Sequence, residues 1–135
     1  MKKESSTGKQ TTANPSQKKS GIKPRSAKNK GMRFQKYIVE EILKTYPTLT
    51  MNDIRSTPAS VTGSDVWLSE AALKLFPYSV ECKCVEKLNI WSALKQAESA
   101  NREQTPLLIF KRNRTETYCC LKFEDFLNLI KEDSE

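Results

Sequence analysis

The first strong apolar pattern runs from residue 31 to residue 46 and repeats at the spacing of an α-helix. Its apolar positions are Phe34, Ile38, Val39, Ile42, Leu43 and Tyr46. Pro47 stops the pattern, so we predict an amphipathic helix that ends there. Gln35 projects onto the middle of the apolar face, where a buried amide needs a hydrogen-bond partner. That partner is either nearby backbone or a functional group, and the pattern leaves both open.

Three segments typical of strands follow, at about residues 54–60, 64–69 and 78–84, and they are separated by Gly63 and Pro77. Residues 70–76 are predicted as a short helical turn between the last two strands. Because side chains alternate along a strand, Ser79, Glu81 and Lys83 point to one face of the third strand. The third strand therefore carries its charged residues together.

The second half of the chain alternates between helical and strand patterns. Asn89 is a typical N-cap for a predicted helix that ends near residue 100. A strand at residues 105–110, a basic turn at 111–115 and a strand at 116–121 come next. Apolar spacing then predicts a closing helix on Phe123, Phe126, Leu127 and Ile130. The order αβββαββα predicts an α/β fold in which helices flank a mixed sheet.

Length and hydropathy limit the class of protein. With 135 residues and 37% hydrophobic residues, the chain has room for one domain core. No apolar stretch approaches the roughly 20 residues that cross a bilayer, so we expect no membrane partner. The N-terminus is charged from its second residue and lacks the apolar core of a secretory signal. These features predict a cytoplasmic protein.

The positive charge is concentrated at the N-terminus. Residues 1–30 contain nine Lys or Arg and one Glu, whereas residues 31–135 are nearly neutral, although the whole chain carries +7. The segment is rich in Ser, Thr, Gln and Asn and cannot bury enough apolar surface to offset its ordering entropy. We therefore predict a disordered basic tail over residues 1–30 and a folded domain over residues 31–135. The tail either binds a polyanion or only aids solubility.

The available side chains exclude several kinds of chemistry. The chain has no histidine, so His-based general bases and His-containing zinc sites are absent. Neither of the common glycine-rich phosphate-binding loops occurs. The four cysteines are interpreted as free thiols and small buried apolar residues rather than a zinc site, because adjacent residues on a strand face opposite ways. Carboxylates and Lys remain as the groups for catalysis.

Asp65, Glu81 and Lys83 form the candidate catalytic set. If the strands that carry Asp65 and Glu81 lie side by side, their carboxylates come close together. Such a pair is costly unless a cation lies between them, and Mg²⁺ prefers oxygen ligands. Lys83 would hold the attacking water or offset charge on the phosphate. The predicted reaction is phosphodiester hydrolysis.

The spacing from Gly63-Ser64-Asp65 to Glu81-Cys82-Lys83 resembles the signature of PD-(D/E)XK nucleases. More narrowly, residues 31–126 are similar to small endonucleases of phages and mobile elements that resemble archaeal Holliday-junction resolvases. This resemblance implies a restriction-endonuclease-like αβββαβ core with an extra strand and a C-terminal helix. It also implies a bacterial or phage-infected host cell.

The resemblance assigns roles to individual residues. Asp65, Glu81 and the backbone carbonyl of Cys82 would bind Mg²⁺, with Mn²⁺ as a substitute, and Lys83 would take the catalytic lysine role. Gln96 matches a supporting Gln on the helix after the signature. Gln35 stands where the family often has a catalytic Glu, which leaves the number of metal ions open because an amide is a poorer ligand.

DNA is the expected partner. The residues expected to contact it are Lys87, Lys95, Lys111, Arg112 and Arg114. The turn residues among them are equally consistent with a polar hairpin turn. Cutting two strands symmetrically would require a homodimer. The alternative function is a non-catalytic nucleic-acid-binding module that retains the nuclease fold, and a third is a basic-tailed protein that docks to protein or RNA.

Overall fold

The computed structural model describes residues 24–134, and within them it contains four helices and five strands. In chain order these are α1 Pro24–Thr45, β1 Ile54–Ser56, β2 Val66–Leu68, α2 Glu70–Leu75, β3 Tyr78–Cys84, α3 Ile90–Ala100, β4 Thr105–Lys111, β5 Tyr118–Cys120 and α4 Phe123–Asp133. The predicted α/β class is confirmed. In the described part of the chain, no helix has the length and apolar character needed to cross a membrane.

Helix α1 begins earlier than its apolar pattern. It starts at Pro24 rather than at Gly31, so the prediction of disorder is wrong for residues 24–30. Proline suits the first helical position because its missing N–H would be unpaired there, and Ala27 and the neighbouring lysines favour helix. The rest of the predicted tail, residues 1–23, lies outside the described residues.

The main sheet has three strands in the order β3-β4-β5. Strands β3 and β4 are parallel, and α3 connects them, whereas β4 and β5 are antiparallel. One face packs its aliphatic side chains, including Val80 and Ile109, against α1 in the core. The other face receives α3 through the fully or almost fully buried Ala93 and Ala97. Small side chains at these positions let the helix lie close to Leu108, which is also fully buried.

The single mixed sheet expected from the sequence is divided in two. Strands β1 and β2 form a separate antiparallel pair, and both are shorter than predicted. Pro58 has no N–H for a strand ladder, and the Val61 N–H donates back to the Pro58 carbonyl at 3.0 Å, which makes a turn. The connection to β3 is local, since the Asp65 N–H donates to the Val80 carbonyl at 2.9 Å.

Helix α4 confirms the predicted closing helix but contributes no buried residue. Its apolar side chains are partly exposed, from Leu129 at 43% to Phe123 at 74%. Strand β5 before it is also shorter than the predicted 116–121, and Cys119 on this strand is exposed. The interpretation of the four cysteines as buried apolar residues is therefore wrong for Cys119, and the other three are only partly buried. The four thiols are free, as predicted.

Candidate active site

An open cavity of about 630 Å³ lies where β2 begins, beside the middle of β3 and the C-terminal half of α3. Its lining residues are Thr62, Gly63, Asp65, Glu81, Gln96, Ser99 and Ala100. We call it the acidic cavity, because two carboxylates are its only charged groups among the described residues. Asp65, Glu81 and Gln96 were predicted from the sequence, and the fold brings these three together.

Backbone geometry positions Asp65. Gly63 has a φ of 116°, a left-handed conformation that side chains rarely adopt, and it precedes the bend into β2. The Asp65 Oδ2 atom accepts a hydrogen bond of 2.7 Å from the Cys82 N–H. The hydroxyls of Ser64 and the fully buried Ser79 share a further hydrogen bond of 2.7 Å. The carboxylate is thus fixed against β3 rather than left on a free loop.

Strand alternation positions Glu81 and Lys83 on the same face of β3, as predicted. Glu81 is only 9% exposed. The Lys83 Nζ atom lies 3.5 Å from Glu81 Oε1, and the lysine side chain remains 29% exposed. The ammonium group therefore pairs with a carboxylate of the acidic cavity and still reaches solvent.

The electrostatics of the two carboxyl groups are unfavourable in the absence of a ligand. Burial raises the pKa of Asp65, although the Cys82 N–H and the charge of Lys83 counteract this. Burial also raises the pKa of Glu81, the negative charge of Asp65 raises it further, and Lys83 opposes both effects. A bound cation would remove this cost, because it would compensate both negative charges.

Helix α3 contributes the polar wall opposite the carboxylates. Its N-cap is Asn89, whose side chain accepts from the Ser92 N–H at 3.1 Å, as the sequence predicted. Gln96 and Ser99 lie three positions apart, hence on one face of the helix, and both line the acidic cavity. Ser99 was missed in the sequence analysis, but its spacing from Gln96 was a usable signal.

Gln35 lies outside the lining of the acidic cavity. Its Oε1 atom accepts a hydrogen bond of 3.3 Å from the Ser56 hydroxyl. Ser56 pairs with Val66, the residue after Asp65, so Gln35 contacts the hairpin behind the carboxylate. The structure therefore does not bring Gln35 to the site where it was predicted to act. The partner of its amide is a serine side chain.

The donor set fits a hard divalent cation. No group of three or more Cys, Asp or Glu side chains is placed for metal binding in the part of the chain described. Two carboxylates are nevertheless sufficient for Mg²⁺, which usually keeps several waters and binds few protein oxygens. Cys82 was predicted to contribute only its backbone carbonyl. Its thiol packs against the core on the α1 side, where burial and then the two carboxylates raise its pKa.

The basic residues expected to contact DNA lie outside the acidic cavity. Lys87 and Lys95 are exposed on the loop before α3 and on α3. Lys111 pairs with Cys84 at the end of the parallel ladder, three residues beyond Glu81, which corresponds to about 10 Å along the strand. Arg112 and Arg114 follow in the exposed β4–β5 turn. Because none of these five residues lines the acidic cavity, any contacts they make would be to phosphates other than the reacting one.

We expect neutralisation of the carboxylates to stabilise the metal-free protein. A raised pKa in the folded state gives stability below the ordinary values of 3.8 for Asp and 4.5 for Glu, and this stability is lost as the pH rises through the folded-state pKa. Each unit of elevation corresponds to about 1.4 kcal/mol. Asp65→Asn and Glu81→Gln should therefore raise the unfolding midpoint at pH 7 and lose this advantage near pH 4, as measured by thermal denaturation in chelator.

Asp53 is the control, because its neutralisation should change the stability in the opposite direction. Its pKa is lowered, first by the Thr50 N–H and then by the Ser69 hydroxyl, which donate to its carboxylate at 3.0 Å and 2.8 Å. Its stabilising effect is present above the ordinary pKa and disappears as the pH falls through the folded-state pKa. Asp53→Asn should accordingly lower the midpoint at pH 7. Equal shifts in all three variants would show that the acidic cavity is not electrostatically strained.

Comparison with known proteins adds no relative: no family model, curated protein or solved structure matches the chain. The family suggested by the spacing of Asp65, Glu81 and Lys83 therefore stays a prediction. The chemistry of the acidic cavity has to be judged from its own geometry.

Proposed function

We propose that this protein is a metal-dependent endonuclease that hydrolyses DNA phosphodiester bonds at the acidic cavity. One observation supports this above all: Asp65 and Glu81 line the same open cavity, and Lys83 lies 3.5 Å from Glu81. An ion pair that served only to stabilise the fold would need a single carboxylate to balance the charge of Lys83. The second carboxylate, held by a backbone N–H at 2.7 Å, adds negative charge beside Glu81 and raises the pKa of that residue, which a single ion pair would not do.

Asp65 and Glu81 would hold Mg²⁺ or Mn²⁺, with the Cys82 carbonyl as the expected third protein ligand. The cation would lower the pKa of a bound water and polarise the scissile phosphate. Mg²⁺ is commonly bound by one or two carboxylates together with substrate phosphates, which fits a cavity of this openness.

The protein side chains have complementary tasks. Lys83, partly exposed, offers its ammonium group to the attacking water or to the negative charge that develops on the phosphate. Gln96 offers an amide from the opposite wall and would orient a water or a phosphate oxygen. Asp65 keeps its orientation through the Cys82 N–H, so the ligand geometry is already formed before DNA binds.

Cleavage of end-labelled duplex, single-stranded and four-way-junction DNA, with and without Mg²⁺, tests the proposal. We expect products only with the divalent cation, and the substrate that is cut fastest identifies the class, with branched DNA expected from the family resemblance. Binding without cleavage of any substrate, under varied metals and salt, would contradict it. That result would favour the second candidate, a binding module, which is motivated by Gln35 bonding to Ser56 instead of entering the acidic cavity.

Removal of residues 1–23 should weaken DNA binding without abolishing cleavage. This segment has six lysines and one glutamate, and the cut leaves α1 intact. If the tail binds phosphates, the slope of log K against log salt should become shallower by roughly 0.9 for each phosphate of duplex DNA that the tail neutralises. Binding at several salt concentrations measures the slope. An unchanged slope would assign the tail a role in solubility only.

A further inference from the structure

A second cavity, of about 480 Å³, lies on the other side of the main sheet from the acidic cavity. It runs between the first half of α1 and the turn that joins β4 to β5. We call it the basic groove, because Lys30, Arg33, Lys111 and Arg114 line it, against a single acid, Glu116. The sequence analysis had singled out the turn but not α1.

The two walls of the basic groove are tied together by Glu86. Its Oε1 atom accepts a hydrogen bond of 3.0 Å from the Asn113 N–H in the turn and lies 3.8 Å from the Lys30 Nζ atom on α1. One carboxylate therefore contacts both the turn and the helix. It offsets part of the charge of Lys30 and leaves Arg33, Lys111 and Arg114 without such a partner among the described ion pairs.

Arg114 occupies an unusual backbone conformation. Its φ is 61°, and it is the only described residue other than glycine with a positive φ. This region is unfavourable for a long side chain, and glycine or asparagine would be the ordinary choice in a turn. An arginine at this position costs stability, so its presence indicates a use for its guanidinium group in the basic groove.

Tyr37 gives the basic groove an aromatic surface. It lies on α1 and is 45% exposed. Its ring stacks on Phe34, with the centroids 6.4 Å apart and the planes inclined by 19°, and Phe34 itself is only 5% exposed. The tyrosine ring is therefore supported from below by the core and open above. Such a ring is a suitable surface for a flat ligand.

We propose that the basic groove binds a single-stranded nucleic acid, with its phosphates against the four cations and a base stacked on Tyr37. Grooves of positive charge combined with an aromatic ring are the general means of binding single strands. A duplex offers phosphates but no free base face, so the supported tyrosine selects for the single strand. The proposal rests on the proposed function only in its choice of nucleic acid as the ligand.

The position of the basic groove defines a substrate class. The acidic cavity opens on the α3 side of the sheet, and the basic groove lies on the α1 side at the end of β3 and β4. A DNA whose reacting phosphate is in the acidic cavity would have to pass around this end of the sheet to reach Tyr37. A flexible single-stranded arm can make that bend, whereas duplex DNA resists bending over such a length.

Binding to the full-length chain tests this without any cleavage. We would measure anisotropy with a labelled oligo-dT of about 15 nucleotides and with a duplex of equal length, in chelator and about 0.15 M salt. Tyr37→Leu should weaken oligo-dT binding by roughly tenfold, as expected when one base no longer stacks on a ring, and leave duplex binding within about twofold. Tyr37→Phe, which keeps the ring, should retain oligo-dT binding.

Arg114→Gly should also weaken oligo-dT binding and reduce its salt slope by roughly 0.7, and it should not lower the thermal unfolding midpoint. Lys44→Ala is the matched control. Lys44 is exposed and lies on α1, about 16 Å along the helix from Arg33, so its substitution should leave binding unchanged.

Three results would overturn the proposal. The first is that Tyr37→Leu weakens the binding of oligo-dT and of duplex equally, and the second is that oligo-dT binding is unchanged in Tyr37→Leu or in Arg114→Gly. The third is that inorganic polyphosphate, compared at equal charge, competes as well as oligo-dT. Cleavage is a separate measurement. A chain that binds oligo-dT through Tyr37 but never cuts DNA would retain the basic groove and lose the nuclease.

Discussion

Asp65→Asn and Lys83→Ala are each expected to lower the rate of Mg²⁺-dependent DNA hydrolysis by at least roughly 10²- to 10³-fold. Asp65→Asn replaces a carboxylate ligand by an amide, which is a poorer partner for Mg²⁺. Lys83→Ala removes the only cation that contacts a carboxylate of the acidic cavity among the described ion pairs. Single-turnover cleavage with excess enzyme measures the chemical step.

Measurements of DNA binding and of stability distinguish a slower chemical step from a loss of binding or of folding. Both variants should bind the uncleaved DNA with near wild-type affinity in chelator, and Asp65→Asn should be more stable than wild type at pH 7. Lys74→Ala, an exposed lysine on α2, is the matched control and should leave the rate unchanged. Wild-type rates in either active-site variant would show that the acidic cavity is not where hydrolysis occurs.

Leu108→Ala is expected to cost about 2–5 kcal/mol of unfolding free energy, the largest stability effect we predict for one substitution. Leu108 is fully buried in the central strand β4 and is in register with Glu81 on the neighbouring strand. Truncation would leave a cavity between the sheet and α3. Urea denaturation followed by circular dichroism gives the free energy.

Leu129→Ala on α4 is the control for this change. The side chain is 43% exposed, so its loss should alter the unfolding free energy by less than about 1 kcal/mol. A cost of about 2–5 kcal/mol for Leu129→Ala as well would mean that α4 is buried against something in solution. A cost below about 1 kcal/mol for Leu108→Ala would instead mean that β4 is not the centre of the core.

Local signals gave the best predictions. Strand β3 was predicted with its observed bounds because Pro77 marks its start and alternation sorts its charged residues. Helix α3 was predicted from its capping residue Asn89, whose side chain accepts from the backbone N–H three positions on. These elements depend on neighbours in sequence, so the sequence is enough to define them.

The predictions failed where the structure depends on contacts between segments that are far apart in the chain. At the division between the two sheets, the Asp65 carboxylate accepts a hydrogen bond from the Cys82 N–H, a group that a continuous ladder would have paired with a backbone carbonyl. The partner of Gln35 depends on how α1 crosses β1, which no local pattern encodes. The proximity of Asp65, Glu81 and Lys83 was predictable because two of these residues share one strand face. The basic groove was not, because α1 and the β4–β5 turn are about 75 residues apart in the chain.

The cysteines differ in burial, and this difference makes the local opening of β3 measurable by cysteine alkylation. Cys119 is exposed, whereas the partly buried Cys82 thiol packs against the core and has a raised pKa, so we expect its alkylation to be slow and to speed up when the strand separates from α1. In a variant with Ser at the other three cysteines, the alkylation rate would measure the free energy of that local opening. Because the Asp65 carboxylate is hydrogen-bonded to the Cys82 N–H, a divalent cation in the acidic cavity should slow alkylation of Cys82. The affinity of the protein for the cation could then be measured without any DNA.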